Sequence, residues 1–493
     1  MAGLPILSVI ARYRLSRKSL TPQETLKFLL GHASQTRFGR KYGFADMIAQ
    51  DDVYKSFSGT IPLTDYSSWL SFLGPQYQFD SGHPSILVNE AWPERIRHFC
   101  LSSGTTTGKT KYIPYSAMMA KLNRKAAIDL LFKLILEDPG FNPLRRRTLY
   151  MSGSTALAPD KEGVIAGDMS GLTKYLAPGF ISWMTLPPNR VSSLEPWSVR
   201  LPELVAFSIS ASNTIGMISG IPVWILTFLQ EVRRVSGKEI PEVFPGLRYL
   251  IHGGMPLGPY ETPLRNLLGE NIRFVDVYAA SETGITAIGI SSDKGLDFLQ
   301  HYGVFYEFEA DDGTVHPSWE LQVGMSYNLL VSSCSGLWRY RIGDRVRVTH
   351  TCPVRIDTVF RAQTTTSFDE KVTEEQVILA VKANIPKLTD FSMGPCLKEK
   401  RHVWFFLLDG HPDQGIEDID RTLRQLNQDY DDYRGDGRIH KPRAVNLSSR
   451  SEFLELIGRE EGGQRKFPRL LSPEEVEELL NHSFPSKPTP EGP

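Results

Sequence analysis

Leu101-Ser-Ser-Gly-Thr-Thr-Thr-Gly-Lys-Thr-Lys111 combines a run of hydroxyl residues with two glycines and two lysines. Hydroxyls, glycines that let a backbone come close, and fixed positive charge are the groups that bind phosphate. A Walker loop places four residues between its glycines and runs directly into a helix. Here only Thr105, Thr106 and Thr107 separate Gly104 from Gly108, and Tyr112-Ile113-Pro114 follows. Pro114 disfavours helix at Ile113, so the loop joins two extended segments. The next helix is predicted from Ser116 to Glu137, with Met119, Leu122, Ala126, Leu130 and Leu134 on one face. A plain Ser/Thr/Gly hairpin is the alternative, and the lysines beside three consecutive hydroxyls argue against it.

Outward from the loop, the first 45 residues read as helical, with Thr21 as a cap and Pro22 in the first turn. Leu247–Ile251 reads as a strand ending in Gly253-Gly254, followed by a helix to Leu268 and a strand from Phe274 to Tyr278. Strands spaced by helices imply a parallel sheet that gathers ligand groups at its carboxyl ends. Shorter strands and turns fill Phe305–Thr349. Beyond about residue 360 a smaller unit is expected. Its elements are a helix from Thr373 capped by Gln376, a strand Val403–Leu408, a helix Ile416–Leu426 and a last helix at Ser472-Pro473 capped by Glu475. The predicted fold is α/β: a large domain over 1–360 with mixed or parallel sheets and flanking helices, then a small α+β lid over 361–483. The hinge falls near 360–366, and the Pro-rich tail 484–493 is expected to be disordered.

Composition narrows the function. With 493 residues, a formal net charge of -1, 41% hydrophobic and 23% charged residues, the chain reads as a soluble globular protein. That balance gives no electrostatic grip on nucleic acid or on an anionic membrane. The cluster Arg145-Arg146-Arg147 reads as a solvated loop. Cys100, Cys334, Cys352 and Cys396 form no CxxC pair, which argues against a metal knuckle or a disulfide scaffold. The apolar stretch Leu4–Ala11 is too short to span a bilayer and leads into Arg12 and Arg14 rather than a cleavage site. A cytoplasmic monomer acting on small molecules is the expectation.

Two more segments stand out. Val277-Tyr-Ala-Ala-Ser-Glu282 ends a predicted strand, and Gly336-Leu-Trp-Arg-Tyr-Arg-Ile-Gly-Asp344 lies further on. Taken in order with the loop, they resemble the signatures of the Gretchen Hagen family of acyl acid amido synthetases, in the adenylate-forming superfamily, as a non-plant, bacterial-type member. The resemblance also takes in Thr36-x-Phe38-Gly39, the junction from Phe360-Arg361 to Gln376, and Gly463-Gln464-x-Lys466-x-Pro468. Where the family commonly has glycine this chain has Ala279, whose methyl would narrow the acyl slot.

The resemblance implies ATP and Mg²⁺ as cofactors, with a carboxylic acid and an amine (an amino acid by preference) as substrates. Ser102, Ser103, Gly104, Thr105 and Gly108 would hold phosphates, and Lys111 would offset charge on departing pyrophosphate. Tyr278 would stack on adenine, Ala280 and Ser281 would admit the α-phosphate, and Glu282 would give Mg²⁺ one hard oxygen. Asp344 would accept from the ribose hydroxyls, with Tyr340 beside the nucleotide and Arg361 reaching in from the lid. Lys466 would close over the reacting carboxylate, with an exposed loop lysine as its alternative. Arg339 and Arg341 serve either the site or the sheet surface. Leu130, Met217 and Trp224 are candidates for the acyl pocket, with core packing as the plainer reading. A thioester ligase sharing the adenylation step, or a binding protein that keeps the fold, are the rival functions.

Overall fold

A computed structural model describes residues 4–16, 19–74, 77, 84–102, 111–195, 197–254, 257–290, 295–361, 364–365, 368, 372–385, 388, 390–407, 415–435, 437, 439–457 and 467–482. The chain divides into two compact units, Met1–Met255 with Arg265–Val359, and Pro256–Leu264 with Phe360–Pro493.

The first unit opens with helices, among them α1 (Pro22–Ala33). Thr21 caps α1 by accepting from the Glu24 N–H, while the Glu24 carboxylate takes the Thr21 N–H at 2.8 Å. The chain then forms β1 (His98–Ser102), β2 (Lys111–Pro114), α2 (Ala117–Glu137), β3 (Arg147–Tyr150), β4 (Ile165–Gly167), α3 (Met169–Tyr175) and β5 (Thr185–Leu186). Next come α4 (Trp197–Ser210), β6 (Ile215–Gly220), α5 (Pro222–Ser236), β7 (Tyr249–Gly253), α6 (Gly258–Leu268, whose residues to Leu264 belong to the second unit), β8 (Arg273–Ala280) and β9 (Gly284–Gly289). Short strands complete the unit: β10 (Leu296–Phe298), β11 (Val304–Glu309), β12 (Val315–Pro317), β13 (Ser326–Ser333), β14 (Tyr340–Thr351) and β15 (Val354–Arg361).

Twelve of these strands make one mixed sheet in the order β12-β11-β13-β14-β15-β10-β9-β8-β7-β6-β3-β5. Neighbours from β5 to β8 run parallel, joined by helical crossovers, and the hairpins beyond β8 run antiparallel. β2, β1 and β4 form a separate three-stranded sheet. The strand expected over 247–251 starts two residues later and takes in Gly253. A Cβ at Gly253 would stand 2.2 Å from the Val277 carbonyl oxygen of β8, so only glycine continues the ladder there. Ala126, Leu130 and Leu134 of α2 pack onto Met217, Tyr249 and Val275 of the parallel strands. The apolar stripe read in α2 is therefore its sheet-facing side.

The second unit has its own core. β16 (Asp390–Cys396) and β17 (Arg401–Leu407) pair antiparallel, and β18 (Arg443–Asn446) joins β17 in parallel. Around them lie helices Glu374–Asn384, Ile416–Leu426 and Pro473–Asn481. The first and last of these carry complete capping boxes, Thr373 with Gln376 and Ser472 with Glu475. Tyr260 donates to Asp390 at 2.7 Å, and Asp390 also pairs with Arg450. That buried network fastens the stretch 257–264 into this unit. The tail 484–493 and, within the stretch 360–366, residues 362, 363 and 366 lie outside the described residues. Among the described residues no helix is long and apolar enough to cross a membrane.

Candidate functional site

β8 ends at Tyr278-Ala279-Ala280, turns through Ser281-Glu282-Thr283 and returns as β9. The Thr283 N–H donates to the Ala280 carbonyl at 3.1 Å, and Gly284 sits at φ +71°. A three-residue hairpin loop closed by a left-handed glycine has this form. A Cβ at Gly284 would also stand 2.9 Å from the Asn123 side chain. Asn123, buried on α2, accepts from the Ile285 N–H at 3.0 Å and donates to the Tyr115 hydroxyl at 3.1 Å. The loop is thus pinned from one side, and Glu282 is held at its centre, 7% exposed.

Asp344 arrives from the other half of the sheet. In the β13–β14 pairing Asn328 faces Arg345 while Leu330 faces Arg341. Leu329 alone therefore stands opposite Ile342, Gly343 and Asp344, a bulge whose Gly343 has φ +83°. Bulges re-aim side chains, and this one brings the Asp344 carboxylate to the Tyr278 hydroxyl, which donates to it at 2.6 Å. Burial first, then the Asp344 charge, push the Tyr278 phenol well above its ordinary range, so it remains a donor. The Glu282 charge acts in the same direction on Tyr278 and on Tyr340, whose own shift is dominated by burial. The buried Tyr340 hydroxyl has no hydrogen-bond partner among the described residues.

The ends of the glycine-rich loop reach the same neighbourhood. Ser102 and Lys111 face each other across the β1–β2 pair. The Lys111 ammonium lies 5.9 Å from the centre of the Tyr66 ring, and the Tyr66 hydroxyl accepts from the Tyr112 N–H at 2.9 Å. Tyr66 contributes to the upward shift of Tyr340. Cys100, on β1 one strand position before the loop, is raised by burial and then by Glu282 and Asp168. Ser102, Lys111, Tyr278, Glu282, Tyr340 and Asp344 therefore converge, with Ala279, Ala280 and Ser281 half-buried beside them. Ser103, Gly104, Thr105, Gly108 and Lys466 lie outside the described residues, as does the side chain of Arg361.

Other assignments come out differently. Leu130 and Met217 share one core cluster under the sheet, where Met217 exposes no surface, so both serve packing. Trp224 is not with them: it sits on α5 with its ring 5.2 Å from that of Trp197. Arg339 belongs neither to the site nor to the sheet surface. It is buried at φ +45°, pairs with Glu307 at 3.0 Å and donates to the carbonyls of Ser58 and Ile61 at 2.7 and 2.8 Å. Arg341 is a half-exposed partner of Glu309 at 2.6 Å. Sequence reasoning missed Asn123, although an amide in the apolar stripe of α2 was a visible signal. A cleft of about 810 Å³ lined by Arg248, Arg273 and Leu268 opens at the N-terminal ends of β7 and β8, the edge opposite Glu282.

Residues 16–192 match the GH3 family N-terminal domain, and residues 298–361 match the GH3 family central domain. A jasmonoyl–L-amino acid synthetase of Nicotiana attenuata, JAR4, is 26% identical over 269 residues, which is 48% of this chain and 46% of that protein. A second from the same plant, JAR6, is 28% identical over 169 residues, 31% of this chain and 29% of that protein. The matched stretch thus spans less than half the length of either relative. Among solved structures, a GH3.15 acyl acid amido synthetase superposes with a TM-score of 0.75 at 16% identity, over 97% of this chain and 96% of that one. A 2-hydroxyisobutyryl-CoA ligase in the postadenylation state gives 0.62 at 12% identity, over 93% and 90%. The large mixed sheet is shared with both of these structures.

Proposed function

Since the chain belongs to the GH3 family, we propose that it is an ATP- and Mg²⁺-dependent ligase that adenylates a carboxylic acid and passes the acyl group to an amine, an amino acid by preference. The observation that carries this reading is the hydrogen bond from Tyr278 to Asp344 at 2.6 Å beside the buried Glu282. A carboxylate with one oxygen already fixed by a phenol keeps its remaining lone pairs for a vicinal diol, which suits Asp344 to ribose. Tyr278 then stands by the nucleoside, and Ala280 and Ser281 leave room for the α-phosphate. Ser102 and Lys111 hold the ends of the loop toward the outer phosphates, where the lysine offsets charge on the leaving pyrophosphate.

Among the described residues no cluster of three or more His, Cys, Asp or Glu could cage a metal. Mg²⁺ fits such a site, because it takes one or two protein carboxylates and fills its shell with phosphate oxygens and water. Glu282 is the carboxylate that would hold it. When bound, Mg²⁺ neutralises phosphate charge. Attack of the acid on the α-phosphorus forms the acyl–phosphate bond and releases pyrophosphate. Attack of the amine nitrogen on the acyl carbon then forms the amide and releases AMP. Lys466 and Arg361 complete this reading as groups that would act during adenylation.

The test is to supply the purified chain with ATP, Mg²⁺ and an accepted acid, then amino acids, CoA or a carrier thiol side by side. An amide product supports the proposal. A thioester product alone replaces it with the thioester ligase reading.

A further inference from the structure

Away from the nucleotide residues, α3 and α4 bring two buried cations together with unused donors. Lys174, near the end of α3, is 6% exposed, and its ammonium has no hydrogen-bond partner among the described residues. Arg200, on α4, is also 6% exposed. Its Nη1 donates to the carbonyls of Ser152 and Ser192 at 3.3 and 3.2 Å, but its Nε has no partner among the described residues. The indole N–H of Trp197 is buried and also has no partner among the described residues, and the Arg200 guanidinium lies 5.0 Å from the Trp197 ring. All three unused groups are donors that cannot accept. Buried donors left unmatched are costly, and two neighbouring cations repel. The matching partner is an anion with several acceptor lone pairs.

The position says what would carry it. Ser152 follows β3, and α3 packs so closely on the same loop that a Cβ at Gly171 would stand 2.3 Å from the Ser154 carbonyl oxygen. The donors therefore sit at the carboxyl end of β3, on the edge of the sheet that carries Glu282 after β8. In the sheet order β8-β7-β6-β3 lie three steps apart, about 14 Å at the usual strand spacing. Trp224, 5.2 Å from Trp197, extends the wall with an apolar face. Glu195, Ser198 and Val199 beside Trp197 are exposed, so this end of the wall meets solvent. Asp168 and Glu195 are the carboxylates whose charge reaches Arg200.

We infer that Lys174 and Arg200 bind a second carboxylate, at the far end of the acid to be activated, so that the chain selects dicarboxylic acids. The inference rests on the acid-activating reading. The α-carboxylate of an amino-acid acceptor is the other source of the same chemistry. It lies two bonds from its nitrogen, however, and cannot reach a point so far along the edge while that nitrogen attacks the acyl carbon.

The experiment measures binding to the full chain, without ATP, by calorimetry and thermal shift. The probes are α,ω-dicarboxylic acids of increasing length, the monomethyl ester of each, and amino acids with their amides. The expected result is a diacid that binds at least tenfold more tightly than its half ester, a preference that Lys174→Met and Lys174→Gln both erase. Equal binding of diacid and half ester, a preference that survives both variants, or no binding by any acid would overturn the inference. Discrimination confined to amino acids over their amides, and lost in the variants, would overturn it by giving the site to the acceptor. Diacid binding that depends on Lys174 but supports no pyrophosphate release would uphold this site and refute adenylation.

Discussion

The Tyr278 hydroxyl and the Asp344 carboxylate meet at 2.6 Å although their strands stand four places apart in the sheet. On a flat sheet four spacings would be about 19 Å, so the sheet curls back on itself to join them. This contact ties the hairpin that carries Glu282 to the bulge that carries Asp344.

Removing the acceptor should matter more than removing the donor. Asp344→Ala is expected to raise the KM for ATP at least tenfold. Tyr278→Phe keeps the ring and the Asp344 carboxylate but loses one hydrogen bond to a charged group, worth at most about 1.5–3 kcal/mol, so its effect on KM should be the smaller of the two. Steady-state ATP kinetics check both, and unchanged kinetics in Asp344→Ala would remove the ribose role.

Glu282→Gln keeps the size of the side chain and removes its charge. Pyrophosphate release should then need a markedly higher Mg²⁺ concentration, with recovery at saturation. A Mg²⁺ titration identical to that of the wild type would take the metal away from Glu282.

Gly284 is constrained twice, by its φ of +71° and by Asn123 at 2.9 Å. Gly284→Ala is expected to cost about 1–3 kcal/mol, the range for strained backbone, and to lower kcat because the Glu282 turn shifts. Asn123→Ala frees the space but leaves the Ile285 N–H unmatched, so it should lower activity as well. Denaturant unfolding and turnover would be read together, and a fully stable, fully active Gly284→Ala would contradict this account of the loop.

Burial, followed by the Arg200 charge, lowers the Lys174 ammonium from 10.5 to about 7. Between those values the unfolded chain binds the extra proton, so stability rises with pH from about 7 toward 10.5, and the cost is fully present below about 7. At about 1.4 kcal/mol per pKa unit the cost at neutral pH is on the order of a few kcal/mol. Lys174→Met should therefore melt higher than the wild type near neutral pH, with the gap closing in alkali. A gap that stays constant across that range would refute the burial of a charged Lys174.

Local rules made much of this legible. Pro114 marked the loop as a link between extended segments, and β1 and β2 flank it. The capping pairs Thr373–Gln376 and Ser472–Glu475 started their helices where expected. Contacts made across long stretches of chain were hidden. The curl that joins Tyr278 to Asp344 leaves no local pattern, and the charge of Arg339 gives no hint of Glu307, 32 residues away. Lys174 in Leu-Thr-Lys-Tyr reads as an ordinary solvated lysine, and only the packing of α3 and α4 buries it.

The most direct test of the central claim is acid-dependent release of pyrophosphate from ATP and Mg²⁺, measured without amine across aromatic, aliphatic and dicarboxylic acids. The account predicts release with a narrow set of acids, abolished or sharply reduced in Asp344→Ala. No release with any acid, in protein shown to bind ATP, would contradict it and leave a nucleotide-binding protein built on the same fold.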